Sequence, residues 1–328
     1  MFASALNKGI RGGLPLVLGF VFVCALLSVF STTNIETNNY PNLFYNYFTT
    51  KITSKILIVL INYLFILLGV FLVTIITINQ EIVDKSNYFP VFIFVVLSSV
   101  SINAFQIVPQ AFTNIFILFS IYKLLDCYRK ENILNQLFEA GFWLSLSAYI
   151  TISSVISFPL FFIILLILRP FYWREWVVGI LGFITPIFIL ECVSYLSDFY
   201  LGYFFGAVAM YLKSFNLPSY SEYYLPLSIF LFLLLLFSLL NNLLNNFSNT
   251  VKKQRAKIIL VWILIFSSIS FFSGGSNSST TILTFAFPFS YFIGAFLYQL
   301  KDIKITNTIL VLFILCCALV FLAQYHLI

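Results

Sequence analysis

Charge is scarce in this chain: 9% of its 328 residues are Asp, Glu, Lys or Arg, where a soluble domain carries about a quarter. With 61% hydrophobic residues and a mean hydropathy of +1.04, that scarcity excludes an ordinary water-soluble fold and points to a membrane protein. Histidine is nearly missing. The one imidazole, His326, stands close to the last residue, which leaves no histidine-based triad and no multi-histidine metal site. The five cysteines, Cys24, Cys127, Cys192, Cys316 and Cys317, are odd in number and scattered, mostly inside apolar runs. They form neither a disulfide framework nor a zinc spacing and read as small core residues, so no metal-ligating residue is assigned, and the sequence leaves any cofactor unknown. The polar-in, apolar-out alternation of outer-membrane strands is absent as well. Runs such as LPLSIFLFLLLLFSLL are apolar on every face, and helices are then the remaining way to satisfy a backbone in lipid.

What the chain does have is apolar runs in series. A bilayer core about 30 Å thick takes about 20 helical residues. On that measure eleven spans are predicted, at 14–31, 55–79, 89–107, 110–126, 134–152, 154–168, 176–197, 225–244, 257–273, 280–299 and 306–325. The expected fold is an all-α, polytopic transmembrane bundle, with residues 1–328 forming a single integral membrane domain. The longest stretches between spans, 32–54 and 198–224, are too short to build a core and suit the membrane surface. The first apolar run ends in VFSTTN without a small-x-small cleavage site, so it is expected to remain as the first span.

Basic residues orient the bundle. With the N-terminus inside, Lys8, Arg11, Lys85, Lys123, Arg129, Lys130, Arg169, Arg174, Lys252, Lys253, Arg255, Lys257, Lys301 and Lys304 fall on the cytoplasmic side. Only Lys51, Lys55 and Lys213 fall on the other, and the C-terminus lies outside. One helix more or fewer before residue 250 would throw the KKQRAK cluster onto the wrong face. The net charge of +6 is thereby a matter of topology, which argues against a nucleic-acid partner and places the chain among membrane lipids.

The octapeptide RPFYWREW, residues 169–176, packs two arginines, a glutamate, a proline and four aromatics between two apolar runs. As a cytoplasmic turn it needs nothing more: Pro170 ends a helix, the arginines follow the positive-inside bias, and Phe171, Tyr172, Trp173 and Trp176 suit the headgroup level. The planar guanidinium also matches phosphate oxygens, which makes Arg169 and Arg174 candidate ligands for a lipid phosphate.

Polar groups within spans cost enough, about 2.5–3.5 kcal/mol for a charge at a helix centre, to be the first functional candidates. Ser99, Asn103, Gln106, Gln110 and Asn114 recur at helical steps around Pro109, which is read as an outer turn. Ser145, Thr151, Ser153, Ser154 and Ser157 crowd a second outer turn, where the sixth span reaches only about 22 Å. Two polar tips predict a cavity open to the outside, with Asn103, Gln106, Gln110, Asn114 and Asp198 binding substrate. Alternatively, the same hydroxyls and amides knit neighbouring helices together. Glu191, after Pro186 and beside Cys192, is a candidate general base or proton-coupling group, or else a carboxylate that anchors its helix at the surface. Glu36 lies in the first outer loop. Asp126 and Glu139, near the inner surface, are expected to pair with Lys123, Arg129 or Lys130.

The stretch EAGFWLSLSAYITISSVISFPLFFIILLILRPFYWREWVVGILGFITPIFIL resembles a family of polytopic inner-membrane proteins from Bacteroidota. In that family Arg-Pro-Phe, Arg-Glu-Trp, Gly and Pro follow in the order seen in Arg169-Pro170-Phe171, Arg174-Glu175-Trp176, Gly182 and Pro186. The resemblance carries over no catalytic residue, because no activity is assigned to the family. The middle section is also similar to multi-spanning glycosyltransferases that use polyprenyl-phosphate sugars. In those an acidic residue of the first outer loop acts as base, and Glu36 is the positional match; the loop here is shorter than theirs and lacks a paired acidic motif. Three functions follow as expectations: handling of a lipid-linked glycan or other envelope precursor at the outward cavity, transport or flipping of a lipid, and service as a non-catalytic subunit of an envelope complex.

Overall fold

Apolar runs with few internal breakers wind into helix wherever the backbone must pair with itself. The computed structural model describes residues 2–7, 9–30, 54–79, 82–84, 86–101, 108–196, 204, 206, 208–209, 225–244, 251–273, 278–300 and 302–324. Among these residues there are helices and no strands. A short α1 (Phe2–Leu6) precedes α2 (Ile10–Phe30), α3 (Lys55–Thr74), α4 (Phe89–Ser101), α5 (Pro109–Asp126) and α6 (Leu134–Ile150). Then come α7 (Ser157–Leu168), α8 (Trp173–Leu196), α9 (Leu225–Leu244), α10 (Val251–Ser273), α11 (Ser278–Gln299) and α12 (Ile303–Gln324). Each of the predicted apolar runs corresponds to one of the helices α2 to α12.

Contacts at the helix ends fix their directions. At one end Tyr88 N–H donates to Leu6 C=O (3.3 Å), Ala3 N–H to Asn307 Oδ1 (2.9 Å), Arg255 Nη1 to Leu168 C=O (2.9 Å) and Asn241 Nδ2 to Gln299 Oε1 (2.6 Å). At the other, Val108 N–H donates to Asn62 Oδ1 (3.4 Å), Thr113 and Thr151 share a hydroxyl bond (2.9 Å), and Ser270 donates to Ser153 C=O (3.2 Å). Successive helices α2 to α12 therefore run alternately in opposite directions, and the chain enters at the first end, which also gathers Arg129, Lys130, Arg169, Lys253 and Arg255. We call it the basic end, and its opposite the hydroxyl end.

Among the described residues, four helical stretches are long and apolar enough to cross a membrane: Arg11–Val29, Ile56–Ile78, Trp173–Val193 and Ile303–Val320. Their outward faces present Phe22, Phe71 and Phe188, each more than 60% exposed, as lipid-facing surfaces do and water-facing ones do not. The described chain is thus a helical protein with the composition and surface of a membrane protein. Its centre is α4, buried from Phe89 to Val100 and packed against α2, α3, α11 and α12. Gly294 of α11 lets the two backbones close up, since a Cβ there would stand 2.6 Å from Pro90 N.

Two local windings differ from simple α-helix for identifiable reasons. Pro159 has no N–H to offer Val155 C=O, so the α ladder cannot extend back through it, and residues Ile152–Ile156 form a 3-10 segment instead. The five residues of that segment at the longer 3-10 rise and the twelve of α7 together span about 28 Å, against about 22 Å for the shorter predicted span; the two added residues contribute about 3 Å of the difference and the 3-10 rise about 2.5 Å. At the far end of α3, Ile75–Asn79 continues as a π turn, with Thr77 Oγ1 donating to Val73 C=O (2.7 Å).

Candidate functional site

The hydroxyl end is assembled from short polar side chains. Pro109 occupies the first turn of α5, where no N–H is needed, and sets Gln110, Thr113 and Asn114 on buried positions. Thr113 Oγ1 meets Thr151 Oγ1 at 2.9 Å, Ser154 Oγ donates to Ser147 Oγ at 3.3 Å, and Ser154 and Ser157 are buried. These groups tie α5, α6 and the 3-10 turn to one another, as the knitting alternative expects. Glu191 is half-buried, and its Oε1 accepts the backbone N–H of Phe204 (2.9 Å), which fastens the end of α8 to the segment beyond. The other residues assigned to an outer cavity, Glu36, Asn103, Gln106 and Asp198, lie outside the described residues.

The basic end is built differently. α5 ends in a turn in which Arg129 takes a left-handed conformation (φ 59°), so the chain reverses and presents Lys130 C=O toward the α7–α8 corner. Arg169 Nη2 donates to that carbonyl, and its Nη1 pairs with Glu175 Oε1 at 2.9 Å. Both side chains are largely buried, Glu175 having 8% of its surface exposed. The other carboxylate oxygen, Oε2, is buried with no protein partner among the described residues. Lys130 pairs with Asp126 (2.6 Å) and Lys123 with Glu139 (2.5 Å), the partners expected from position alone. Gln136 Nε2 adds a bond to Asp126 Oδ2 (3.2 Å). Enclosed in this network, the Cys127 thiol is pushed up to about 12, first by burial and then by the negative charge of Asp126. It stays a neutral thiol at physiological pH, donating to Lys123 C=O (3.2 Å), and is a packing group rather than a nucleophile.

What holds this end in place is a seam of glycines. α6 and α8 meet backbone to backbone: a Cβ on Gly141 would lie 2.4 Å from Gly179 C=O, and one on Gly182 would lie 2.3 Å from Phe138 C=O. Small residues permit such contact between membrane helices. Gly182, one of the positions that carries the family resemblance, therefore has a packing role. Phe162 against Trp176 (4.8 Å) and Phe158 against Phe183 (4.1 Å) complete the wedge of α7 on α8.

Beside the seam lies a cavity of about 410 Å³, lined by Glu131, Asn132, Asn135, Tyr172, Arg174 and Glu175 together with Ile133 and Leu134. Its volume falls within the usual range of small-molecule sites. The two arginines of the octapeptide thus part company. Arg169 is consumed by an internal ion pair and a carbonyl, whereas exposed Arg174 lies over the Trp173 ring (5.7 Å) and faces the cavity with no ion-pair partner among the described residues. Phe171, Tyr172 and Trp173 are all exposed at the corner.

Sequence reasoning did not single out Glu131, Asn132 and Asn135, and left Glu175 without a role. Glu131 carried a signal: it is an acidic residue within a loop otherwise read as basic. Comparison with protein-family models, with curated proteins and with solved structures finds no match.

Proposed function

We propose that this chain is a multi-spanning protein of the bacterial inner membrane that holds the phosphate of a lipid, either a membrane lipid or a lipid-linked envelope precursor, in the cavity at its basic end. In this reading α2 to α12 each cross the bilayer, with the N-terminus in the cytosol and the C-terminus outside. The alternating helix directions support it, as does the collection of basic groups at one end, the pattern that cytoplasmic loops carry. The observation that carries it is Arg174: a guanidinium with no carboxylate partner among the described residues, on the wall of a polar cavity, at the level of three exposed aromatics. Guanidinium and phosphate match in geometry and charge, and a basic pocket between helices on the cytoplasmic side is where a lipid head would be met.

Full-length protein reconstituted in nanodiscs tests it. Arg174→Gln should release co-purifying phospholipids, and should weaken binding of added polyprenyl phosphate by about tenfold, the value of one charge-assisted contact. Unchanged retention of both lipid classes would remove the reading. Tag accessibility in spheroplasts checks the topology, with the N-terminal tag shielded and the C-terminal tag reachable from outside.

A further inference from the structure

Arg174 is not the sole charge on the cavity wall. Glu131 is exposed at the same cavity, has no ion-pair partner among the described residues and is not paired with Arg174. Opposite charges that share a cavity without touching suit a ligand that brings both signs, held apart by a short linker. Asn132 and Asn135 line the cavity beside Glu131 and bring amide oxygens within its reach, while Glu175, buried and paired with Arg169, closes the same wall. The wall therefore offers one anion-binding fork and several acceptors, and exposed Leu134 and Tyr172 line the same cavity, with exposed Phe138 and Trp173 close by in sequence.

Resting on the lipid-phosphate reading above, we propose that the ligand is a phosphoethanolamine headgroup of a membrane lipid. Its phosphate lies on the Arg174 guanidinium and its primary ammonium among Glu131 and the asparagine amides. The acyl chains leave past the apolar rim toward the exposed faces of α6 and α8. A primary ammonium has three N–H donors for these acceptors. A choline headgroup has none and so cannot hydrogen-bond to these acceptors. A phosphoglycerol headgroup brings no cation, and would leave Glu131 facing a second negative group.

The test uses the full-length protein in detergent, delipidated and then offered an equimolar mixture of dioleoyl phosphatidylethanolamine, phosphatidylcholine and phosphatidylglycerol, with bound lipid counted by native mass spectrometry. Wild type should retain the ethanolamine lipid about tenfold over the choline lipid, the worth of one charged hydrogen bond. Glu131→Gln should bring the two to parity, and Glu131→Lys should turn the preference toward phosphatidylglycerol. Because Glu131 is exposed, neither change disturbs packing. Equal retention of ethanolamine and choline lipids by wild type overturns the headgroup assignment while leaving lipid-phosphate binding in place. Loss of nothing on Arg174→Gln overturns both. Binding of soluble O-phosphoethanolamine without any preference among the lipids overturns the membrane source.

Discussion

Helix ends at the basic end are tied by ion pairs, by guanidinium groups on backbone carbonyls and by amides; those at the hydroxyl end are tied chiefly by threonine and serine hydroxyls, with one amide and, at the end of α8, the Glu191 carboxylate on a backbone N–H. The same helices contribute to both: α5 closes on Lys123–Glu139 and Lys130–Asp126 at one extremity and on Thr113–Thr151 at the other. The difference follows from what each kind of group costs to desolvate. A hydroxyl can be buried for the cost of one hydrogen bond and used anywhere along a helix, whereas a full charge needs either water nearby or a complete set of partners. Arg169 and Glu175 show how far the second condition is met, and Glu175 Oε2 shows where it stops.

The sharpest way to break this contrast is to remove one charge from the buried pair. Arg169→Gln leaves Glu175 desolvated and Lys130 C=O without its donor, and should cost about 3–5 kcal/mol, read as a fall in thermal midpoint of the detergent-solubilised protein. The double change Arg169→Gln with Glu175→Gln should recover much of that loss, because no uncompensated charge remains. If the single change costs no more than the loss of a hydroxyl at the far end, the two ends are energetically alike and the contrast is empty.

A second test leaves charge alone and moves the scaffold. Gly182→Ala places a methyl 2.3 Å from Phe138 C=O and 3.0 Å from its Cα, both backbone atoms that cannot swing aside. The expected cost is about 1–3 kcal/mol, together with loosening of the cavity that the α6–α8 seam supports. Gly19→Ala is the matched control in α2, where a Cβ meets nothing within 4 Å, and it should be neutral or slightly stabilising. A control as damaging as Gly182→Ala would show that the close approach does not set the cost, since helix propensity alone favours alanine at both sites.

How much of this could be read from the sequence depends on the range of the interaction. Helix positions were legible because hydropathy is local, and so were the Lys130–Asp126 and Lys123–Glu139 partners, because a hairpin brings neighbouring helix ends together. The 3-10 turn before α7 was within reach, since Pro159 announces the missing N–H, yet its effect on span length needed the winding itself. Burial of α4 was not legible: its run FPVFIFVVLSSVS looks no different from that of α9, and only the arrangement of α2, α3, α11 and α12 decides which is enclosed. The cavity was not legible either, because it joins residues 131–135 to 172–175 across two helices. Arg169 and Arg174 stood as equals in the sequence; the turn at Pro170 sends one inward to Glu175 and the other to the surface.

The smallest expected effect belongs to the hydroxyl end and sharpens the contrast from its other side. Thr113→Val keeps shape and volume while removing the hydroxyl that meets Thr151 at 2.9 Å and Pro109 C=O at 3.2 Å. Thr151 keeps a second acceptor in Ser147 C=O at 3.5 Å, so its own hydroxyl is not stranded, and the cost should stay near 1 kcal/mol. Replacing both threonines by valine removes donor and acceptor together, which in a dry helix interface is close to neutral, so the double variant should lose less than the sum of the singles. Additive losses would mean that each threonine bonds elsewhere and that Thr113–Thr151 is no tie. A loss for Thr113→Val as large as that for Arg169→Gln would mean that the hydroxyl end, too, encloses a group that cannot be left alone, and Gln110, whose buried Oε1 has no partner among the described residues, would be the first neighbour to vary next.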